Sequence, residues 1–250
     1  MVRFPLAAEI IELRSLTEPE RIQTPASQSG IMTGIEAFDK VLTLKFAQFA
    51  VLGREGSRSL SFLLCVRAVL PHPLGPDSDV IFIDGDNTFD PYLISEYSVE
   101  HELHPENSLE RIHISRAFTY HQLASLITEK LPTALKQFNA KLVIVSNITQ
   151  LYCDPDVRGE DKQEALRIFE KTVRSLRSLA EDEHALIVVT DLQLRNPRMS
   201  SILMQSAHIF AELDHEDSYT QLRLLKPPWI RPITVVHSSA NGNQILDRYL

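Results

Sequence analysis

Cysteine is nearly absent from the chain: Cys65 and Cys153 are far apart and show no C-x-x-C spacing. Neither a disulfide framework nor a zinc ribbon is indicated, and the expected compartment is reducing. Positive charge is also scarce, with 25 Lys and Arg against 33 Asp and Glu, a net charge of -8. Attachment to a polyanion or an anionic membrane through bulk charge is thereby excluded, because neutralising phosphates needs clustered Lys and Arg. Any nucleic-acid contact has to be local. No apolar run approaches the roughly 18 residues of a membrane span. Glu9 lies inside the apolar stretch of MVRFPLAAEIIEL and spoils a signal-peptide core. A soluble intracellular protein with no membrane partner is expected, and the chain has no internal repeat.

What is present is enough apolar material, 44% of 250 residues, for one sizeable core. QFAVL (48–52), DVIFID (79–84), RIHIS (111–115), KLVIVS (141–146) and HALIVVT (184–190) read as buried strands, because they are nearly continuous apolar runs. Helices are expected between them. The clearest spans 161–184, where Leu166, Phe169, Val173, Leu176 and Ala180 recur at helical spacing. Alternation of strand and helix predicts an α/β fold with a mostly parallel central sheet and helices on both faces. Beyond Asp191, HIFAEL, YTQLRLL, ITVVH and QILDRYL are separated by turn signals and predict hairpins that extend the sheet antiparallel. Residues 1–30, rich in Pro, Ser, Glu and Gln, read as an arm and linker; residues 31–250 read as one core domain.

GREGSRSL (53–60) follows the first strand and precedes an apolar helix, the place of a phosphate loop. The G-x-x-x-x-G-K-[ST] pattern needs glycines for tight turns, a lysine on the outer phosphates and a hydroxyl on magnesium. In an ungapped alignment Gly53 holds the first glycine, Arg58 replaces the second, Ser59 the lysine and Leu60 the hydroxyl residue. A one-residue gap would move Arg58 to the lysine and Ser59 to the hydroxyl. It would also turn Ser61 rather than Phe62 toward the sheet, against the Phe62/Val66/Val69 stripe, and the ungapped alignment is preferred.

Around this loop the chain resembles the RecA/RadA recombinase superfamily from Ile31 to Asp247. IMTGIEAFDKVL (31–42) is similar to the family's entry segment, and VIFIDGDNTFDPYLISE (80–96) to its Y-I-D-T-E-G-T-F-R-P-E-R stretch. ERIHISRAFTYHQL (110–123) resembles the segment leading to A-R-A-F-x-x-x-H-Q. LVIVSNITQLYCDPDVRGE (142–160) is similar to L-x-I-V-D-S-x-x-x-L-Y-R…G-R-G-E. The resemblance implies that Asp86 stands where the family has the glutamate that activates water, and Ser146 where it has an aspartate behind magnesium. Phosphoryl transfer depends on positioning and charge neutralisation, so changes at Ser59, Leu60, Asp86 and Ser146 together predict lost ATP hydrolysis with no metal site.

Two alternatives remain for the loop itself. Main-chain N–H groups, with Gly53, Arg54, Gly56, Ser57 and Arg58, are candidates to hold ATP without turnover. Alternatively the Arg58 guanidinium folds back against Glu55, Asp84 or Asp86. RLLKPPWIRPI (223–233) resembles the family's R-L-x-D-S-P-x-L-P, which caps a neighbour's nucleotide, with Lys226 in place of the aspartate. Lys226 is then either a phosphate-neutralising residue across a subunit interface or a solvated lysine. Trp229 is a candidate for base stacking or for packing.

Two loops correspond to those that face DNA in the family. CDPDVRGED (153–161) offers Arg158, and QLRNPRMSSILMQSAH (193–208) offers Arg195 and Arg198. Phe4 and Ala7 match the F-x-x-A tether by which family members dock on a neighbour, although both also fit a segment covering the chain's own sheet. The stripe Arg167, Lys171, Arg174, Arg177 reads as a solvated helix face. His101-Glu102-Leu103-His104 reads as a helix end rather than a metal site, and Asp214-His215-Glu216-Asp217 as an acidic hairpin turn.

These features give an expected function: a non-hydrolysing recombinase paralogue, accessory in homologous recombination and DNA repair. It would assemble with a RecA-family recombinase or another paralogue and meet single-stranded DNA through that complex. The expected place is the cytoplasm, or the nucleus of a eukaryotic cell. An ATPase with an atypical, Arg58-based loop and a scaffold or signalling module on the same fold are the alternatives.

Overall fold

The computed structural model describes residues 30–155, 160–193, 196–216, 219–226 and 232–238. In chain order the elements are β1 (Gly30–Ile31), α1 (Glu36–Asp39), β2 (Leu44–Lys45), β3 (Phe49–Gly53), α2 (Gly56–Val69) and β4 (Val80–Asp84). There follow α3 (Pro91–Glu100), α4 (Pro105–Glu110), β5 (Ile112–Arg116), α5 (Tyr120–Ser125), a π-helical turn (Leu126–Lys130), α6 (Leu131–Phe138) and β6 (Leu142–Ser146). A 3₁₀ turn (Leu151–Cys153), α7 (Glu160–Asp182), β7 (Leu186–Asp191), α8 (Pro197–Ser206), β8 (Ile209–Glu216), β9 (Tyr219–Lys226) and β10 (Ile233–Ser238) complete them.

Eight strands form one sheet in the order β10-β9-β8-β3-β7-β6-β4-β5. Most of the runs expected as buried strands are covered on both faces. Ala50, Leu52, Phe82, Ile144 and Val188 face α2 and α3; Val51, Ile81, Val143, Val145 and Val189 face α7, α8 and the α5–α6 segment. Alternate residues of one strand thus enter two separate cores, and the sequence stays apolar throughout. On the first face Phe62 stacks on Phe82 with ring centroids 5.5 Å apart, so Phe62 does face the sheet. Ser61 is buried as well, because α2 is enclosed nearly all round, and its hydroxyl donates to the Arg58 carbonyl at 2.6 Å.

Three expectations about these elements need correction. Among the described residues RIHIS is the outer strand β5, paired only with β4, and its burial alternates; Ile114 is exposed. HIFAEL forms the expected antiparallel hairpin with YTQLRLL, but the strand–helix–strand pattern, expected to stop near Asp191, continues through it. β8 runs parallel to β3, since α8 intervenes after β7 and returns the chain to the same end; β8 with β9, and β9 with β10, pair antiparallel. In α7 the buried face includes Ala165, whereas Leu166, expected on it, is only partly covered. QILDRYL lies outside the described residues.

Local chemistry fixes the helix ends nearest the site. Asp90 caps α3, accepting from the amides of Tyr92 and Leu93, with Pro91 in the first turn. Asn196 caps α8 in the same way, accepting from Arg198 and Met199 beside Pro197. Most of 193–208 is therefore helix rather than the loop expected: Met199 and Leu203 anchor it against α7 and β3.

Candidate functional site

The C-terminal ends of the parallel strands, where open α/β sheets place their ligands, bring together Gly53, Asp84, Ser146 and Asp191. Register sets this directly: Asp84 is the Cα partner of Ser146 on one side and Arg116 on the other, and Gly53 is the partner of Asp191.

The loop after β3 is short. Only Arg54 and Glu55 separate Gly53 from the first residue of α2, whereas the x-x-x-x of a phosphate loop is all loop. Arg54 takes a left-handed backbone (φ 69°), and its amide donates to the Asp191 carbonyl at 3.0 Å. Ser57 and Arg58 amides are bonded to the Arg54 and Glu55 carbonyls at 3.0 and 3.1 Å. Gly56 has a packing reason: a Cβ there would stand 3.0 Å from the Leu213 Cβ and carbonyl oxygen of β8. Ser59 and Leu60, at the lysine and hydroxyl positions of the pattern, are 2% and 0% exposed within α2. Ser59 neighbours the Tyr97 phenol, which burial above all pushes beyond its ordinary pKa range.

Across from the loop, the corner after β4 is a closed polar network. Asp84 is fully buried; its carboxylate accepts from the amides of Thr88 (3.1 Å) and Phe89 (3.2 Å) and pairs with Arg116 Nε at 3.3 Å. Asp86 accepts from the hydroxyls of Thr88 (2.6 Å) and Ser146 (2.9 Å) and pairs with Arg58 at 3.5 Å. Ser146 Oγ also accepts from the Gly85 amide at 3.0 Å and lies 3.3 Å from Asp84. Gly85 is required by closeness, since a Cβ would fall 2.7 Å from the Ser146 carbonyl oxygen. Of the two states left open for Arg58, the structure displays the one in which it turns back on Asp86.

These residues do not fit a magnesium-nucleotide group. In the ungapped alignment the lysine and hydroxyl positions are inside the protein, and the nearby carboxylates are bonded to amides and hydroxyls and paired with arginines. Among the described residues no group of three or more His, Cys, Asp or Glu is arranged to hold a metal ion.

The Rad51 family model matches residues 27–210, most of the chain and the whole of this site. The chain belongs to the Rad51 family. It is therefore a member of the RecA/RadA recombinase superfamily. Among curated proteins it is 29% identical over 205 residues to the meiotic recombination protein DMC1/LIM15 homolog of Homo sapiens, covering 76% of this chain and 58% of that protein. It is 24% identical over 203 residues to DMC1 of Saccharomyces cerevisiae, covering 78% and 60%, and 30% identical over 181 residues to the DMC1/LIM15 homolog of Mus musculus, covering 67% and 51%. The chain spans about half to three-fifths of the length of these relatives.

Other expected site residues of this Rad51-family chain lie apart from the corner. Arg54 pairs with Asp214 at 3.2 Å and Glu212 at 3.6 Å; both belong to β8, so Asp214, expected in an acidic turn, lies in the strand that enters the β8–β9 hairpin. Lys226 is committed within the chain: Nζ donates to the Met204 and Gln205 carbonyls at 2.8 and 3.0 Å, capping the C-terminus of α8. Arg198 is exposed in the first turn of α8. Arg174 and Arg177 are tied to Glu170 and Glu181 one turn away, as befits a solvated face. Residues 101–104 join α3 to α4. Phe4, Ala7, Arg158, Arg195 and Trp229 lie outside the described residues. Sequence reasoning does not find Arg116, because its signal is the β4–β5 register and no spacing along the sequence reveals it. Among the described residues no helix is long and apolar enough to cross a membrane.

Proposed function

We propose that this chain is an accessory subunit of homologous recombination and DNA repair, a Rad51-family paralogue that does not hydrolyse ATP and acts by assembling with a RecA-family recombinase or another paralogue. The observation that carries this reading is the burial of Ser59 and Leu60 in α2, which leaves no side chain for the outer phosphates or their magnesium at those positions. Family membership and the meiotic recombination relatives support the process and, with it, the nucleus. Phe4 and Ala7 are the proposed tether on the partner, and Arg158, Arg195 and Arg198 the proposed contacts to single-stranded DNA in the assembled complex.

The test uses the purified full chain with magnesium-ATP, with and without single-stranded DNA, and then with a recombinase. The reading expects no phosphate release above buffer and co-purification with the recombinase. Turnover would establish instead the atypical ATPase in which Arg58 serves as lysine, a role at odds with its ion pair to Asp86. Absence of co-purification, with no effect of DNA, would leave the scaffold module. Equilibrium dialysis with labelled ATP shows whether nucleotide is held without turnover.

A further inference from the structure

The corner after β4 is where two segments leave the sheet together. Asp84 is the common point: its side chain holds the amides of Thr88 and Phe89 on the way to α3, and its carbonyl accepts from the Ala117 amide at 3.1 Å on the way out of β5. Each segment ends in a highly exposed aromatic, Tyr92 at 82% and Phe118 at 69%. Whatever fixes Asp84 therefore fixes how both rings are presented.

Two buried carboxylates with one residue between them do not stay together unaided, because each needs a counter-charge or several donors. Here both needs are met from within the chain. Arg116 reaches Asp84 from β5, Arg58 reaches Asp86 from α2, and the Ser146 hydroxyl bridges the pair from β6. The network draws on four elements of the fold, α2, β4, β5 and β6.

We infer that Arg58 and Arg116, with Ser146, form a permanent latch in which side chains hold the β4–α3 corner and the exit of β5 in one conformation without nucleotide. The latch rests on the non-hydrolysing reading above and adds to it a mode of control: presentation of the Tyr92 and Phe118 surface is constitutive and independent of ATP. Loosening the latch, rather than removing a ligand, is what alters that surface.

Hydrogen exchange on the full chain tests this at the four amides that the corner employs, Gly85, Thr88, Phe89 and Ala117. In the wild type they exchange slowly, and magnesium-ATP changes their rates less than twofold. In the Arg58→Gln, Arg116→Gln double variant they exchange at least tenfold faster, while Val188 and Val189 of β7 keep their rates and so report an intact core. Arg58→Lys, which keeps the charge, retains most of the protection. Unchanged rates in the double variant would overturn the latch and leave the non-hydrolysing reading standing. Wild-type rates that slow only when magnesium-ATP is added would overturn it in favour of a ligand-held corner, with phosphate release deciding the other question separately. If the double variant loses its β7 protection too, Arg58→Gln alone decides: rates at Thr88 and Phe89 within twofold of wild type overturn the latch, and faster rates there with β7 protected uphold it.

Discussion

Ser146→Asp, which introduces the aspartate that the resemblance implies at this position, is expected to destabilise the chain by an amount that the corner itself sets. The Ser146 oxygen is 2.9 Å from Asp86 and 3.3 Å from Asp84, and the site is 6% exposed. At about 3 Å and an effective dielectric constant of about 20, repulsion between two carboxylates reaches roughly 5 kcal/mol as an upper bound. Protonating the introduced carboxyl at pH 7, against an ordinary pKa of about 3.9, costs about 4 kcal/mol. Protonation is the cheaper course, so the loss saturates near about 4 kcal/mol, or roughly 10 °C in thermal midpoint for a domain of this size. The sign of the pH dependence follows. The introduced carboxyl has a raised folded pKa, the unfolded chain gives up its proton first, and the penalty is full at neutral pH and fades as pH falls toward about 4. Ser146→Ala is the control: it loses a hydrogen bond to a charged group, about 1.5–3 kcal/mol, with no such closing of the gap. Thermal scans of the three proteins in chelator from pH 7.5 to 4.5 make the measurement. A Ser146→Asp variant as stable as the wild type at pH 7, or a gap that is flat with pH, would refute the reasoning.

Leu60→Thr supplies the hydroxyl of a phosphate loop at a fully buried position, and a loss of about 3 kcal/mol in urea unfolding is expected with no gain in ATP binding; a neutral effect on stability would place residue 60 outside the core. His208 accepts the Phe49 amide through Nδ1 at 2.9 Å, and burial first, then Arg177, holds its pKa below 6.5, so the unfolded chain takes the proton first. Stability from His208 is whole above about pH 6.5 and declines as pH falls below it; His101, lowered by burial and Arg67, adds in the same direction. His208→Gln should flatten the midpoint-against-pH curve below about pH 6.5, and a curve as steep as the wild type's would argue against it. Phe4→Glu with Ala7→Glu is expected to abolish assembly with a recombinase by removing an anchor worth roughly 2 kcal/mol or more, with the thermal midpoint unchanged. Assembly persisting in light scattering would return the arm to its own sheet.

The parallel strands named in the sequence were legible because double coverage makes a strand apolar throughout, and a run such as KLVIVS is too apolar for a loop and too short for a helix. What the run does not encode is position in the sheet. RIHIS looks like its neighbours in composition, yet lies at the border with Ile114 uncovered. Direction was equally hidden at β8, because the intervening α8 occupies a stretch that motif likeness assigns to a loop; Asn196-Pro197 is a helix-start signal that could have found it. At the site, motif comparison locates Arg58, Asp86 and Ser146 one by one, since each stands where a known residue type is missing. It offers Asp86 as one of three partners for Arg58, but not the Ser146 bridge or the part of Arg116, because those depend on which strands are neighbours. Lys226 shows the same limit: its nearest demand, the end of α8, is 21 residues away along the chain.

The enclosure of α2 also bears on the residues open to positions 59 and 60. Of its 14 residues, 12 are buried, so the helix at the place of the phosphate-loop lysine and threonine is part of the protein's own filling. Either residue introduced singly would bury a polar group within that filling and destabilise the fold. Packing at positions 59 and 60 thus confines them to core-compatible residues, and a lysine or threonine there needs compensating changes in α3 and β8, which pack against α2.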